Sequence, residues 1–312
     1  MLKRLILARL VVPVFLCVLI IVGACQSSPT PTATELVPTA TLELPTPVIA
    51  SPTPQPTPTA TETPSAAKVN GESIQLSYFE HEIARYRASL DPNLPAPMDA
   101  EVNQKVLESL VDQALLAQAA RANGFSLDEI GLQARVDELI TKLGSAEMLS
   151  QWMQNNFYDE GEFRMALQLS AEAAWQRDQI AAGVPDQVEQ AHVRQIITQT
   201  EGNANAALME LGAGTDFDVI ALRYSPTTGG ELGWFPRGYL DYPEIEEAAF
   251  TLPVGSYSQV ITTEIGFHII KVIERDSEHL LTTDALVSLQ TKALNDWLAQ
   301  ARNTAVIEVS LP

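Results

Sequence analysis

Gly229-Gly230-Glu231-Leu232-Gly233-Trp234-Phe235 opens the stretch on which the reading of this chain turns. It continues through Arg237-Gly238 and Glu246-Glu247-Ala248-Ala249-Phe250 to Gly266-Phe267-His268-Ile269-Ile270-Lys271-Val272. Paired glycines and Gly255 punctuate turns, because glycine alone enters positive φ without steric cost. Phe267 to Ile273 is rich in β-branched and aromatic residues, as is Val193 to Thr198 upstream, so both predict strands. Asn203 to Leu211 and Glu244 to Phe250 have helical composition. A strand, then helices, then two closing strands indicate a small α+β sheet domain over residues 186–278.

Outward from it, residues 67–185 are helical. Phe79, Ile83, Tyr86 and Leu90 recur at amphipathic-helix spacing, as do Val102, Val106 and Leu110 in a helix that Gly124 stops near Asn123. Ser126-Leu127-Asp128-Glu129 reads as a capping box with Ser126 as N-cap. The helix it opens carries Leu132, Val136, Leu139 and Leu143, and another carries Phe163, Leu167, Ala171 and Ala174. Gly183-Val184-Pro185 ends the zone. Residues 279–312 hold one more helix, with Leu286, Leu289, Ala293 and Trp297 on one side, and a β-like tail from Ala305 to Val309. A lone terminal helix has little to pack on. It is therefore expected to fold back onto the N-terminal helices, leaving the sheet domain as an insertion in an α+β chain.

The N-terminus is read as an address. Lys3, Arg4 and Arg9 precede an apolar run from Leu10 to Val22 and then Gly23-Ala24-Cys25, the pattern of a secretory signal over residues 1–24. The apolar stretch falls short of the ~20 residues that span a bilayer. Val22-Gly23-Ala24-Cys25 resembles a bacterial lipobox, which implies lipidation of Cys25 and attachment to the cell membrane. The alternative is an uncleaved N-terminal anchor; both readings place the rest of the chain outside the cytoplasm. Residues 25–66 contain ten of the 20 prolines of the chain, interleaved with threonines. Such a segment buries too little apolar surface to fold and favours polyproline II, so it is a tether with a reach on the order of 100 Å.

Composition narrows the chemistry. With 19 Lys and Arg against 39 Asp and Glu, the net charge is -20, which argues against nucleic acid, where affinity comes from cations neutralising phosphates. Of the two cysteines, Cys17 leaves with the signal and Cys25 carries lipid. No thiol then remains for a disulfide, a metal or a nucleophile.

The motifs quoted at the outset, in their order, resemble the parvulin family of peptidyl-prolyl cis-trans isomerases over residues 186–278. Val69-Asn70-Gly71-Glu72-Ser73-Ile74, opening the helical zone, resembles the chaperone module of SurA- and PrsA-type extracytoplasmic foldases, which also return a C-terminal helix to that module. The resemblance implies a membrane-anchored isomerase that assists the folding of secreted proteins, with unfolded or extended X-Pro-containing polypeptides as partners. Rotation about an X-Pro bond faces a barrier of about 18–20 kcal/mol because amide resonance must be broken. Such an enzyme holds the proline ring in an apolar pocket and favours the twisted amide. That chemistry calls for no cofactor, metal or covalent step.

Carried over residue by residue, the family's proline pocket falls on Leu232, Phe235, Leu240 and Ile245, with Ile245 where an aromatic is usual. His268 matches the second histidine of the polar floor and Thr263 its supporting threonine. Gln195 replaces the first histidine, and His192 is excluded as a substitute because an offset of three on a strand reverses the face. A glutamine amide both donates and accepts, so Gln195 is expected to hydrogen-bond His268. The segment Ser225-Pro226-Thr227-Thr228-Gly229 is shortened, leaving no counterpart for the acid or thiol that the family places before the double glycine. Gln199 to Asn203 lacks the basic cluster of phosphate-directed relatives. The competing reading is a non-catalytic holdase with Gln195 and His268 as satisfied interior groups of a retired fold. Trp234 and Phe235 are read as core and pocket wall, Glu244 to Glu247 as the solvated first turn of a helix, and His81 and His279 as isolated surface residues.

Overall fold

A computed structural model describes residues 63–311; the signal segment, Cys25 and the tether up to residue 62 lie outside the described residues. The elements are β1 (Ser65–Val69), β2 (Glu72–Gln75), α1 (Leu76–Ala88), α2 (Asp99–Ala122), α3 (Glu129–Leu143), α4 (Ala146–Asn155) and α5 (Glu160–Ala182). They continue with β3 (Gln187–Thr198), α6 (Glu201–Gly212), α7 (Phe217–Tyr224), β4 (Glu231–Pro236), α8 (Pro243–Thr251), β5 (Ile261–Thr263), β6 (Gly266–Leu280), α9 (Thr283–Thr304) and β7 (Ile307–Val309).

The helical domain is closed by a three-stranded sheet of order β2-β1-β7. Asn70 and Gly71 both take positive φ, the conformation that a two-residue hairpin turn demands, so β1 and β2 pair directly. Antiparallel pairing of β1 with β7 brings the C-terminal tail to the start of the folded chain. Asn70 fastens it, its amide donating to Val306 O at 2.8 Å and its Oδ1 accepting from Val306 N at 2.9 Å. Ala66, Ala67 and Val69 are buried under α2 residues Val102, Val106 and Leu110, with Trp297 and Ile307 packed alongside. Helix α9 lies on α2 and α5, the return expected of the terminal helix.

Several boundaries differ from expectation. Among the described residues the first strand begins at Ser65, so the last residues assigned to the tether are strand, and Ala66 is fully buried. The proposed edge of the sheet domain at residue 278 falls inside β6, which runs to Leu280 before α9 begins. Helix α3 is capped by Asp128, whose carboxylate accepts from Gly131 N, and Ser126 lies outside it, since Asp caps a helix start as well as Ser does. Leu90 lies beyond the end of α1 at Ala88, ahead of the loop that Pro92 interrupts. Helices α4 and α7 were not anticipated. Each is short, at 10 and 8 residues, and offers too few turns for a periodic signal.

The second sheet is antiparallel with order β4-β3-β6-β5. Alternation divides its residues between two cores. Ile196 and Ile269 face α6 and α7 with Phe217 and Ile220, while Val193, Phe235 and Ile270 face α8 with Ile245 and Phe250. His268 is two residues from Ile270 and Gln195 two from Val193, so both belong to the α8 face.

Candidate active site

Adjacent strands bring the polar residues together. Gln195 on β3 and His268 on β6 lie on paired strands, and Thr263 sits at the end of β5 opposite Gly266. His268 is only 1% exposed, with Nδ1 2.9 Å from Gln195 Oε1 and Nε2 2.8 Å from Thr263 Oγ1. Since Gln195 Oε1 can only accept, Nδ1 carries the proton and Nε2 accepts from the threonine hydroxyl. Burial lowers the His268 pKa, in keeping with a neutral ring. Both nitrogens are thereby occupied, so the ring serves as a fixed polar surface and not as a free base or nucleophile.

Two glycines permit this approach. A Cβ on Gly230, at φ 76°, would stand 2.0 Å from Gln195 O, and the Gln195 amide donates to Gly230 O at 2.8 Å. A Cβ on Gly266, at φ 139°, would stand 2.4 Å from Thr198 O. Only a residue without a side chain lets these backbones meet.

The four apolar residues read from the sequence share one cluster. Phe235 and Ile245 are buried in it, and Leu232 and Leu240 are half-buried at its margin. Phe235 meets Phe250 edge-on at 6.1 Å, and the Tyr242 ring lies 6.4 Å from that of His268. Tyr239 and Tyr242 flank the same cluster and were missed from the sequence; their spacing carries no periodic signal, since they lie in the loop before α8.

Glu246 was misread. It is no solvated first-turn acid: its Oε2 accepts from Gly238 N at 2.8 Å, and its Oε1 accepts from Tyr239 N at 2.8 Å and Leu240 N at 2.7 Å. Trp234 is not core either. It is half-exposed on the face away from Phe235, stacked between His192 at 5.3 Å and His279 at 4.0 Å. His279 is thus not isolated, and His81 is hydrogen-bonded to Glu162 at 2.8 Å. His192 points away from His268 and meets Glu231 at 2.5 Å. Burial works against ionisation of Glu231, but hydrogen bonds from Arg194 and His192 outweigh it and hold the carboxyl below its usual range. Among the described residues no group of three or more His, Cys, Asp or Glu is placed to hold a metal ion.

Residues 186–274 match the family model of the PPIC-type PPIase domain, a rotamase, and residues 55–170 match that of the SurA-like N-terminal domain. Chaperone SurA of Burkholderia pseudomallei is 31% identical over 146 residues, covering 40% of this chain and 32% of its own length. Foldase protein PrsA of Caldanaerobacter subterraneus is 29% identical over 187 residues, covering 54% of this chain and 56% of that protein. The chain thus spans between about a third and just over half of the length of these curated relatives. Among solved structures, the peptidylprolyl isomerase PrsA of Bacillus anthracis is similar with a TM-score of 0.40 at 20% identity, covering 62% of this chain and 89% of that one.

Proposed function

We propose that this chain, which joins a SurA-like N-terminal domain to a PPIC-type PPIase domain, is an extracytoplasmic folding factor that catalyses cis-trans isomerisation of X-Pro bonds in unfolded polypeptides. The proline ring sits against Leu232, Phe235, Leu240 and Ile245, and His268, held by Gln195 and Thr263, forms the polar floor. Lipid on Cys25 and the tether that follows hold the folded part at the membrane surface. Among the described residues no helix is long and apolar enough to cross a membrane.

The observation that carries this reading is the buried His268, hydrogen-bonded through both ring nitrogens, on the same sheet face as the apolar cluster. Twisting the amide removes conjugation and leaves a less polar carbonyl and a pyramidal nitrogen. An enclosed apolar wall with fixed dipoles favours that state over the planar one. The test is relaxation of a short unphosphorylated X-Pro peptide by the purified chain. Acceleration that His268→Ala or Phe235→Ala slows supports the site; a wild-type rate in both variants removes it.

One observation favours a second reading. Phe235 and Ile245 are almost fully covered by the protein's own side chains, which leaves Leu232 and Leu240 as the open part of the wall. A holdase with a retired sheet domain would show that enclosure, and would suppress client aggregation with no effect on proline kinetics.

A further inference from the structure

We infer that Glu246 is a positioning residue for the proline-binding wall: it holds the loop 237–240, which carries Leu240, in place beneath helix α9. The inference rests on the niche assigned above. Glu246 touches no proline itself and acts through the backbone of its three partners.

Three consecutive amides, those of Gly238, Tyr239 and Leu240, converge on one carboxylate. Consecutive N–H groups point the same way only when the backbone makes a concave turn, which Gly238 supplies at φ 80°. Hydrogen bonds to an ionised acceptor are about twice as strong as neutral ones. The loop is also held from two other sides. The Arg237 guanidinium lies 4.2 Å over the Phe250 ring, on α8. A Cβ on Gly238 would stand 3.1 Å from Lys292 Cδ and 3.8 Å from Leu289 Cδ2, so α9 of the helical domain roofs the same turn. Glu246 is one residue from Ile245, another wall residue, so α8 places both sides of the niche. The rim residue Leu240 therefore has its position set by a clamp whose parts come from both domains.

The test is amide hydrogen exchange and peptide kinetics on the full chain. In the wild type, the amides of residues 238–240 should exchange slower than those of Thr227 and Thr228 by about a hundredfold. In Glu246→Gln, their exchange should rise by about tenfold while β3 and β6 amides stay unchanged. KM for a short X-Pro peptide should rise about fivefold with kcat nearly constant, as expected when a binding wall moves and the floor does not. Glu246→Asp, one methylene short, should behave alike, showing that reach and not charge alone matters. Leu289→Ala, which leaves Glu246 intact, should speed exchange at Gly238 alone. Fast exchange of residues 238–240 in the wild type overturns the proposal even if a variant fails to fold. So does a Glu246→Gln chain with unchanged exchange and KM, or one whose whole sheet loosens with kcat and KM altered together. A wild type that does not accelerate isomerisation ends the niche reading instead, and the exchange data still decide whether Glu246 clamps the loop.

Discussion

His268 Nδ1 donates to Gln195 Oε1 across 2.9 Å, joining two side chains that stand 73 residues apart on neighbouring strands. The bond crosses between β3 and β6, the longest pairing in the sheet, and its acceptor is the residue that the sequence reading set in place of a histidine. An amide oxygen performs the orienting task there without a titratable group. The ring that it orients is buried, so a lost partner cannot be replaced by water.

Gln195→Leu should therefore leave the His268 Nδ1–H unpaired and cost about 1–3 kcal/mol of stability. Urea unfolding of the two chains measures this directly, and equal midpoints and slopes would show that the bond contributes nothing net. The rate on an X-Pro peptide should fall in parallel, while Gln195→His should retain it.

Protonation supplies a second expectation. Burial holds the His268 pKa in the folded chain below the value of about 6.5 for a free imidazole. The unfolded chain then binds the proton more readily, so the contribution of this group is fully present above pH ~6.5 and is lost as pH falls through the native pKa. Unfolding free energy measured from pH 8 to pH 5 should decline at the acid end more steeply in the wild type than in His268→Gln. Identical slopes would assign the acid sensitivity to other groups.

The two glycines at the start of β4 should respond unequally. Gly229→Ala meets open space and carries only the penalty of positive φ, on the order of 1 kcal/mol. Gly230→Ala drives a methyl into Gln195 O and should cost roughly 3 kcal/mol or more, with loss of isomerase activity because Gln195 must shift. Thermal melts and peptide rates of both variants check the contrast; similar losses in the two would show that the close approach is not what selects glycine.

Trp297 tests the return of the terminal helix. It is half-buried against the core of the β1, β2 and α2 unit, so Trp297→Ala should destabilise the helical domain by about 2 kcal/mol. Tyr78 and Phe79 amides should exchange faster in that variant even though they lie more than 200 residues away in sequence. Unchanged exchange there would mean that α9 is docked without contributing to the core.

The helices with full apolar periodicity were legible because their signal is local. Val102, Val106 and Leu110 repeat over turns of one element, and all three are buried. The strand was legible over Phe267 to Ile273 from its β-branched and aromatic residues, though not its extension to Leu280, and the grouping of Gln195, Thr263 and His268 was implied by the resemblance to the parvulin family. Glu246 and the Trp234 stack were not. The side chain of Glu246 obeys every rule for a solvated helix start, and only the loop beneath it makes it an acceptor for three amides. Likewise Trp234 is next to a buried phenylalanine, and period-two alternation on β4 sends one ring inward and the other between two histidines.

Residue types and local spacing thus determined the long helices, the central strands of the second sheet, several of the turns, and which side chains are equipped for the proposed chemistry. Packing decided where each boundary falls, that the tail from Ile307 closes the first sheet, and that loop 237–240 lies between α8 and α9. The reason is the range of the forces. Propensity and periodicity act over a few residues, whereas hydrogen-bond satisfaction and apolar burial are settled between elements that meet only after the chain has folded.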